Sequence, residues 1–272
     1  MKVIALGTGV CSNGHLPGAR SQPPGFLLDV RGTLILLDCS EGIRYRLHAA
    51  GYDYADIGHV AVTHGHPDHA ALPQFIQAQV CRCSFVGKGC RPSHTCAMYL
   101  PRPLAEGFQA VWDWHQPEND GAYWEEFTPT FVPLDDRVRV GIADGIDLIP
   151  FAVPHGFGRH PAMCFRIETP DGTVAYSGDS GITDALVEAA HDVDLFICES
   201  VHRVGVKDVN GYGHLNPREA GDIARRSRCR CLRITHTTGA DEAAAILHEV
   251  REAGFHGDAA VARDGDVYAI GP

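Results

Sequence analysis

The sequence predicts an α/β (α+β) chain in which two mixed β-sheets pack on each other with helices outside. Three observations carry this. Apolar, β-branched runs alternate with helix-period segments along nearly the whole chain. The order is mixed, with meandering strands first, helices after them, and the same succession again in the second half. The chain is also large enough for a sizeable core, with 272 residues, 44% of them hydrophobic and 21% charged.

The elements follow in order. Strands are expected at Val3–Leu6, Phe26–Val30 and Thr33–Asp38, then a helix at Gly42–Ala50, a strand at His59–Thr63 and a helix at His69–Gln79. The second half gives strands at Ile146–Pro154, Ala162–Thr169, Thr173–Ser177, Leu195–Glu199 and Cys231–Thr235. Its helices are Thr183–His191, Pro217–Ser227 and Asp241–Ala253. Pro217 suits a first helical turn and Asn216 its cap. The whole chain, 1–272, reads as one domain with an irregular Cys/Trp-rich insertion at about 81–133, which holds four cysteines and all three tryptophans, Trp112, Trp114 and Trp124.

Composition narrows the function. A formal net charge of −11 disfavours a long nucleic acid as main partner, although bound cations could still invert the local potential for a small anion. No run of eighteen apolar residues is present, so no membrane span is expected. The N-terminal MKVIALGTG reads as a strand and not as a signal peptide, which with ten cysteines points to a cytoplasmic chain with reduced thiols or a metal site.

The chemistry concentrates in "VTHGHPDH". His64 and His66, two residues apart after a strand, can aim at one cation; Asp68 and His69 can face a second. Imidazole and carboxylate suit zinc, manganese or iron. A histidine-rich polar turn is the structural alternative.

With this motif the sequence resembles the metallo-β-lactamase superfamily over most of its length. The resemblance implies a four-layer αββα sandwich with metals at one edge, and its further motifs occur in order: Asp38 in "LLDCSEG", His155 in "FAVPHGFGRH", Asp179 in "AYSGDSG" and His236 in "LRITHTTG". It implies that His64, His66 and His155 hold one ion, that Asp68, His69 and His236 hold a second, and that Asp179 bridges them. His160 is the local competitor of His155. The implied activity is hydrolysis by a water shared between two divalent ions, zinc or manganese, about 3.5–4 Å apart. Asp68 would orient or deprotonate that nucleophile, and Asp38 would hold a ligand's other ring nitrogen.

"LGTGVCSNG" with "LLDCSEG" resembles the tRNase Z and phosphodiesterase branch, and Glu199 and His214 match its Glu…His pair, where the His protonates the leaving oxygen. A solvated loop histidine is the plain alternative for His214. The long basic arm that grips tRNA in tRNase Z has no room between His155 and Asp179. The expectation is therefore a phosphodiesterase for small nucleotide-like or cyclic phosphate esters. The alternatives are a tRNA 3′-processing endonuclease, a thioester, lactone or β-lactam hydrolase, and a non-enzymatic metal-binding interaction module. A homodimer is expected at family level only.

Cys81, Cys83, Cys90 and Cys96, with His94 among them, could hold a third, structural zinc; reduced thiols without a metal are the competing reading, and disulfides the weakest. Trp112 and Trp114 could wall a substrate cleft or pack in the core.

Overall fold

The computed structural model describes residues 1–10, 21–86, 95–115 and 129–271. The first half supplies β1 (Lys2–Gly7), β2 (Gly25–Val30), β3 (Thr33–Leu37), α1 (Ile43–Ala49), β4 (His59–Ala61), α2 (Leu72–Val86), β5 (Ala97–Pro101), α3 (Arg102–His115) and β6 (Thr130–Leu134). The second supplies β7 (Val140–Ala143), β8 (Ile146–Val153), β9 (Ala162–Thr169), β10 (Gly172–Tyr176), α4 (Asp184–Ala189), β11 (Leu195–Glu199), α5 (Pro217–Ser227), β12 (Cys231–Thr235), α6 (Ala243–Glu252) and β13 (Asp258–Val261). The last strand, β14 (Val267–Ala269), returns to the edge of the first sheet against β1.

Two seven-stranded sheets result, in the orders β14-β1-β2-β3-β4-β5-β6 and β13-β12-β11-β10-β9-β8-β7. Both are antiparallel through their first hairpins and become parallel from β3 to β6 and from β10 to β13. Helices follow the same strands in each half, so the molecule is a doubled unit. The parallel strands are covered on both faces, which is why runs such as "LILL" and "LFIC" are apolar without alternation.

Three cores separate four layers. Phe26, Leu28, Ile35 and Leu37 meet Phe165, Ile167, Tyr176 and Ile197 between the sheets. Leu27, Leu36 and Val60 pack under Ile43, Leu47, Phe75 and Trp112 on one outer face, and Phe196, Leu232 and Ile234 under Leu186, Ile223 and Val250 on the other. This is the expected αββα sandwich. Asn216 accepts from the Glu219 backbone while Glu219 accepts from that of Asn216, completing the cap expected for α5.

The middle segment departs from expectation. Inside 81–133, read as an irregular insertion, β5, α3 and β6 continue the first sheet and its helical cover. Strand β5 is buried between β4 and β6, so its short "AMYLP" run is sheet and not loop. Trp112 lies in the outer core, resolving its reading as packing; the side chain of Trp114 and all of Trp124 lie outside what is described. Helix α2 begins at Leu72, later than expected, and runs to Val86, so the backbones of Cys81 and Cys83 are helical.

The zinc expectation gains nothing here. Cys90 and His94 lie outside the described residues, as do the side chains of Cys81 and Cys83. Cys96 is buried in the outer core with Cys39 and Met98, where burial pushes its thiol up to about 12. Among the described residues no helix is long and apolar enough to cross a membrane.

Candidate metal centre

Past β4 the Val62 N–H still donates to the Tyr99 carbonyl of β5, but the donor after it is taken by a side chain. The Thr63 N–H donates to Asp38 Oδ1 at 2.8 Å, and the chain then turns through His64, His66 and Asp68. Asp38 itself sits at φ 57°, just past β3, a conformation that Asp tolerates better than most residues. Its carboxylate is fully buried and accepts from Tyr176 Oη at 2.7 Å, from Thr63 Oγ1 and from His69 Nδ1 at 2.7 Å.

That last bond decides which nitrogen His69 presents, since an Nδ1–H held by Asp38 leaves Nε2 as the free donor atom. The same logic recurs twice. His64 Nδ1 donates to Thr63 Oγ1 at 3.1 Å, and His155 Nδ1 donates to the Gly213 carbonyl at 2.8 Å. Sequence reasoning missed these partners. Thr63 and Tyr176 carry no motif of their own, and Gly213 acts through its backbone. Its φ of 99°, with a would-be Cβ 2.5 Å from the Pro154 carbonyl, admits only glycine there.

The opposite ends of these buried rings converge. His64, His66, His155 and Asp179 place one ligand atom each within 4.8 Å of one another, and so do Asp68, His69 and His236. Asp179 faces both groups. Its Oδ2 is 3.8 Å from His64 Nε2 and from His155 Nε2, while Oδ1 is 3.2 Å from His69 Nε2 and 3.1 Å from His236 Nδ1. Asp68 Oδ2 lies 3.6 Å from His236 Nε2 and 3.8 Å from His69 Nε2. All seven sequence-predicted ligands are therefore brought together, in the two groups and with the shared carboxylate that the resemblance implied. His160 is exposed and belongs to neither group.

Several of these atoms are buried without a hydrogen-bond partner among the described residues: His64 Nε2, His69 Nε2, Asp179 Oδ1 and both ring nitrogens of His236. Each orphaned polar atom costs about 1–3 kcal/mol. A cluster of them on nitrogen and carboxylate atoms fits a pair of divalent ions, one per group. The charges agree. Burial, with His69 beside it, holds His64 well below the ordinary histidine range, in the neutral form that ligates. Burial works against ionisation of Asp179, but His236, His69 and His64 outweigh it and hold the carboxyl well below its usual range. His69, pushed down by burial, is raised well above its range by Asp179 and Asp38, carrying a proton where a cation would otherwise sit.

Beside the cluster stands His214, within ligand reach of Asp179 and His236. Its Nδ1 donates to Glu199 Oε1 at 2.8 Å. Glu199 is buried at the end of β11 and also accepts from the Ser180 and Val201 backbone N–H groups at 2.9 and 3.0 Å. Burial disfavours the imidazolium, yet the Glu199 charge and hydrogen bond prevail and raise His214 to about 9.

A family model described as "Beta-lactamase superfamily domain" matches residues 33–237, the span that carries all seven ligands. The chain belongs to that superfamily. The "Probable metallo-hydrolase YhfI" of Bacillus subtilis is 27% identical over 271 residues, covering 98% of this chain and 99% of the relative. The crystal structure of YhfI shares the fold with a TM-score of 0.80 at 23% identity, over 98% of each chain. A ribonuclease Z of Pyrobaculum calidifontis is 28% identical over 263 residues, covering 87% of this chain and 86% of the relative. A diphosphatase from the PhnP family superposes with a TM-score of 0.68 at 18% identity, over 98% of this chain and 97% of that one. Superfamily membership, the metallo-hydrolase relative and the His/Asp cluster together support a metal-dependent hydrolase of the metallo-β-lactamase fold.

Proposed function

We propose that this chain is a metal-dependent phosphodiesterase acting on small nucleotide-like or cyclic phosphate esters. The observation that carries the reading is the His214–Glu199 pair beside the ligand cluster. His64, His66, His155, Asp68, His69, His236 and Asp179 would hold two divalent ions, which when bound would supply Lewis acidity and a low-pKa water. The chain's own residues do the rest. Asp38, Thr63 and the Gly213 carbonyl fix the ring nitrogens that face the site. Asp68, the least buried of the acids there, is placed to orient a nucleophile. His214, whose charged form Glu199 favours against burial and which is anchored through Nδ1, has Nε2 left to protonate an alkoxide leaving group.

Ribonuclease Z relatives favour a second reading, tRNA 3′-end cleavage. Against it stand the net charge of −11 and the chain between His155 and Asp179, which holds only a short turn, β9 and β10 and therefore no tRNA-gripping arm. A panel of bis-p-nitrophenyl phosphate, cyclic nucleotides, precursor tRNA, a thioester and a lactam tests the proposal. Cleavage of the cyclic nucleotides and the synthetic diester is expected. Fast thioester or lactam hydrolysis without phosphodiester cleavage overturns it, and efficient precursor-tRNA processing would transfer the assignment to the second reading.

A further inference from the structure

After His155 the chain does something unusual for its composition. Gly156, Phe157 and Gly158 all have positive φ, at 60°, 58° and 68°. Glycine adopts this freely, but a phenylalanine rarely does, and such strain gathers at ligand sites. The strained turn does not bury the ring: Phe157 is 56% exposed, whereas the other phenylalanines with described side chains lie buried or half-buried. The ring is held edge-on against Tyr212, with centroids 5.0 Å apart and an interplanar angle of 89°. The Phe157 N–H also donates to the Tyr212 carbonyl, at 3.4 Å.

Tyr212 in turn covers the centre. Its ring lies nearly parallel to His66, at 6.2 Å and 18°, and to His214, at 5.3 Å and 30°, and stands edge-on to His155 at 5.1 Å. An unbroken series of rings thus runs from the metal-ligating histidines through Tyr212 to an exposed phenylalanine. Core packing does not account for a ring left more than half in water.

We infer that Phe157, backed by Tyr212, is a stacking platform for a planar aromatic group carried by the substrate, the base of a nucleotide whose phosphate sits at the metal centre. The inference deepens the phosphodiesterase reading and rests on it for the position of the phosphate. An exposed aromatic face stacks any nucleobase, so the platform selects for the presence of a base more than for its identity.

The test is binding of adenosine 5′-monophosphate and of ribose 5-phosphate, which share the phosphate and sugar, to the metal-loaded protein by calorimetry. Cyclic AMP turnover is measured alongside. Wild type should bind the nucleotide about tenfold to a hundredfold more tightly, the range that one stacked base provides. Phe157→Gly suits the positive φ and keeps the fold, which an unchanged or raised Tm checks. It should abolish most of that preference while leaving ribose 5-phosphate affinity within about twofold, and Phe157→Tyr should restore the preference. Equal affinities in wild type, or a preference that survives Phe157→Gly, overturn the platform even if cyclic AMP is hydrolysed. A Phe157-dependent preference without hydrolysis of any phosphodiester upholds the platform and removes the phosphodiesterase assignment.

Discussion

At the scale of single residues, His214 and Asp38 do different work, and their variants should separate. His214→Ala removes the proton donor but none of the seven grouped ligands, so metal content by elemental analysis should be unchanged. Turnover of a cyclic nucleotide, whose leaving group is a basic alkoxide, should fall by about 10²–10⁴. A p-nitrophenyl ester, whose leaving group departs unaided, should lose far less. Glu199→Gln tests the charge that holds His214 up near 9. A raised imidazole pKa means the acid form persists to higher pH and is lost as pH rises through it. Removing the carboxylate should therefore move the alkaline limb of the pH–rate profile to lower pH, with the acid limb in place. Asp38→Asn leaves the ring of His69 and the Tyr176 hydroxyl competing for a weaker acceptor. Metal affinity, measured by chelator competition, should drop by about 10–100-fold with the fold retained.

At the scale of elements, the legible parts were those whose signal is contiguous. The four-residue ligand motif, the Asn216-Pro217 helix start and the long apolar strands each declare themselves within a few residues. Strands β5 and β6 did not, because they are short, carry Pro101 and Pro133, and owe their place to parallel pairing with distant strands. Strands β7, β13 and β14 are three or four residues long, too short for periodicity to register. The site's supporting atoms were hidden for a related reason: a threonine hydroxyl, a tyrosine hydroxyl and a glycine carbonyl become functional only through tertiary neighbours. The loop between β11 and α5 is an instance. Asp208 accepts from the backbone N–H groups of Tyr212 at 3.2 Å and Gly213 at 2.6 Å, setting the turn that carries Tyr212, the Gly213 carbonyl and His214. Asp208→Ala should cost that turn about 1–3 kcal/mol. Amide exchange at Tyr212–His214 should accelerate while β11 stays protected.

At the scale of the whole molecule, the site lies on the seam of a doubled structure. His64, His66, Asp68 and His69 come from the first half, following β4; His155, Asp179 and His236 come from the second, following β8, β10 and β12. Each metal group draws on both halves, since His155 completes the first and His236 the second. Ions bound there would therefore tie the two sheets together at one edge, in addition to the apolar core between them. Ions that bind only the folded chain stabilise it by about 2.7 kcal/mol at a hundredfold excess over Kd. For a domain of this size, each kcal/mol moves Tm by roughly 2–4 °C. Chelation should accordingly lower Tm by several degrees without abolishing a cooperative transition, because the three cores are independent of the metals. His214→Ala should show the same chelator-induced shift as wild type. Asp179→Ala, lacking the carboxylate that faces both groups, should bind little metal and show almost no shift. Elemental analysis of the replete protein should find two ions per chain. An ordered, metal-replete preparation with none near His66 and Asp179 would end the dinuclear reading, and with it the account of why two sheets that already share a core converge on seven ligands at a single edge.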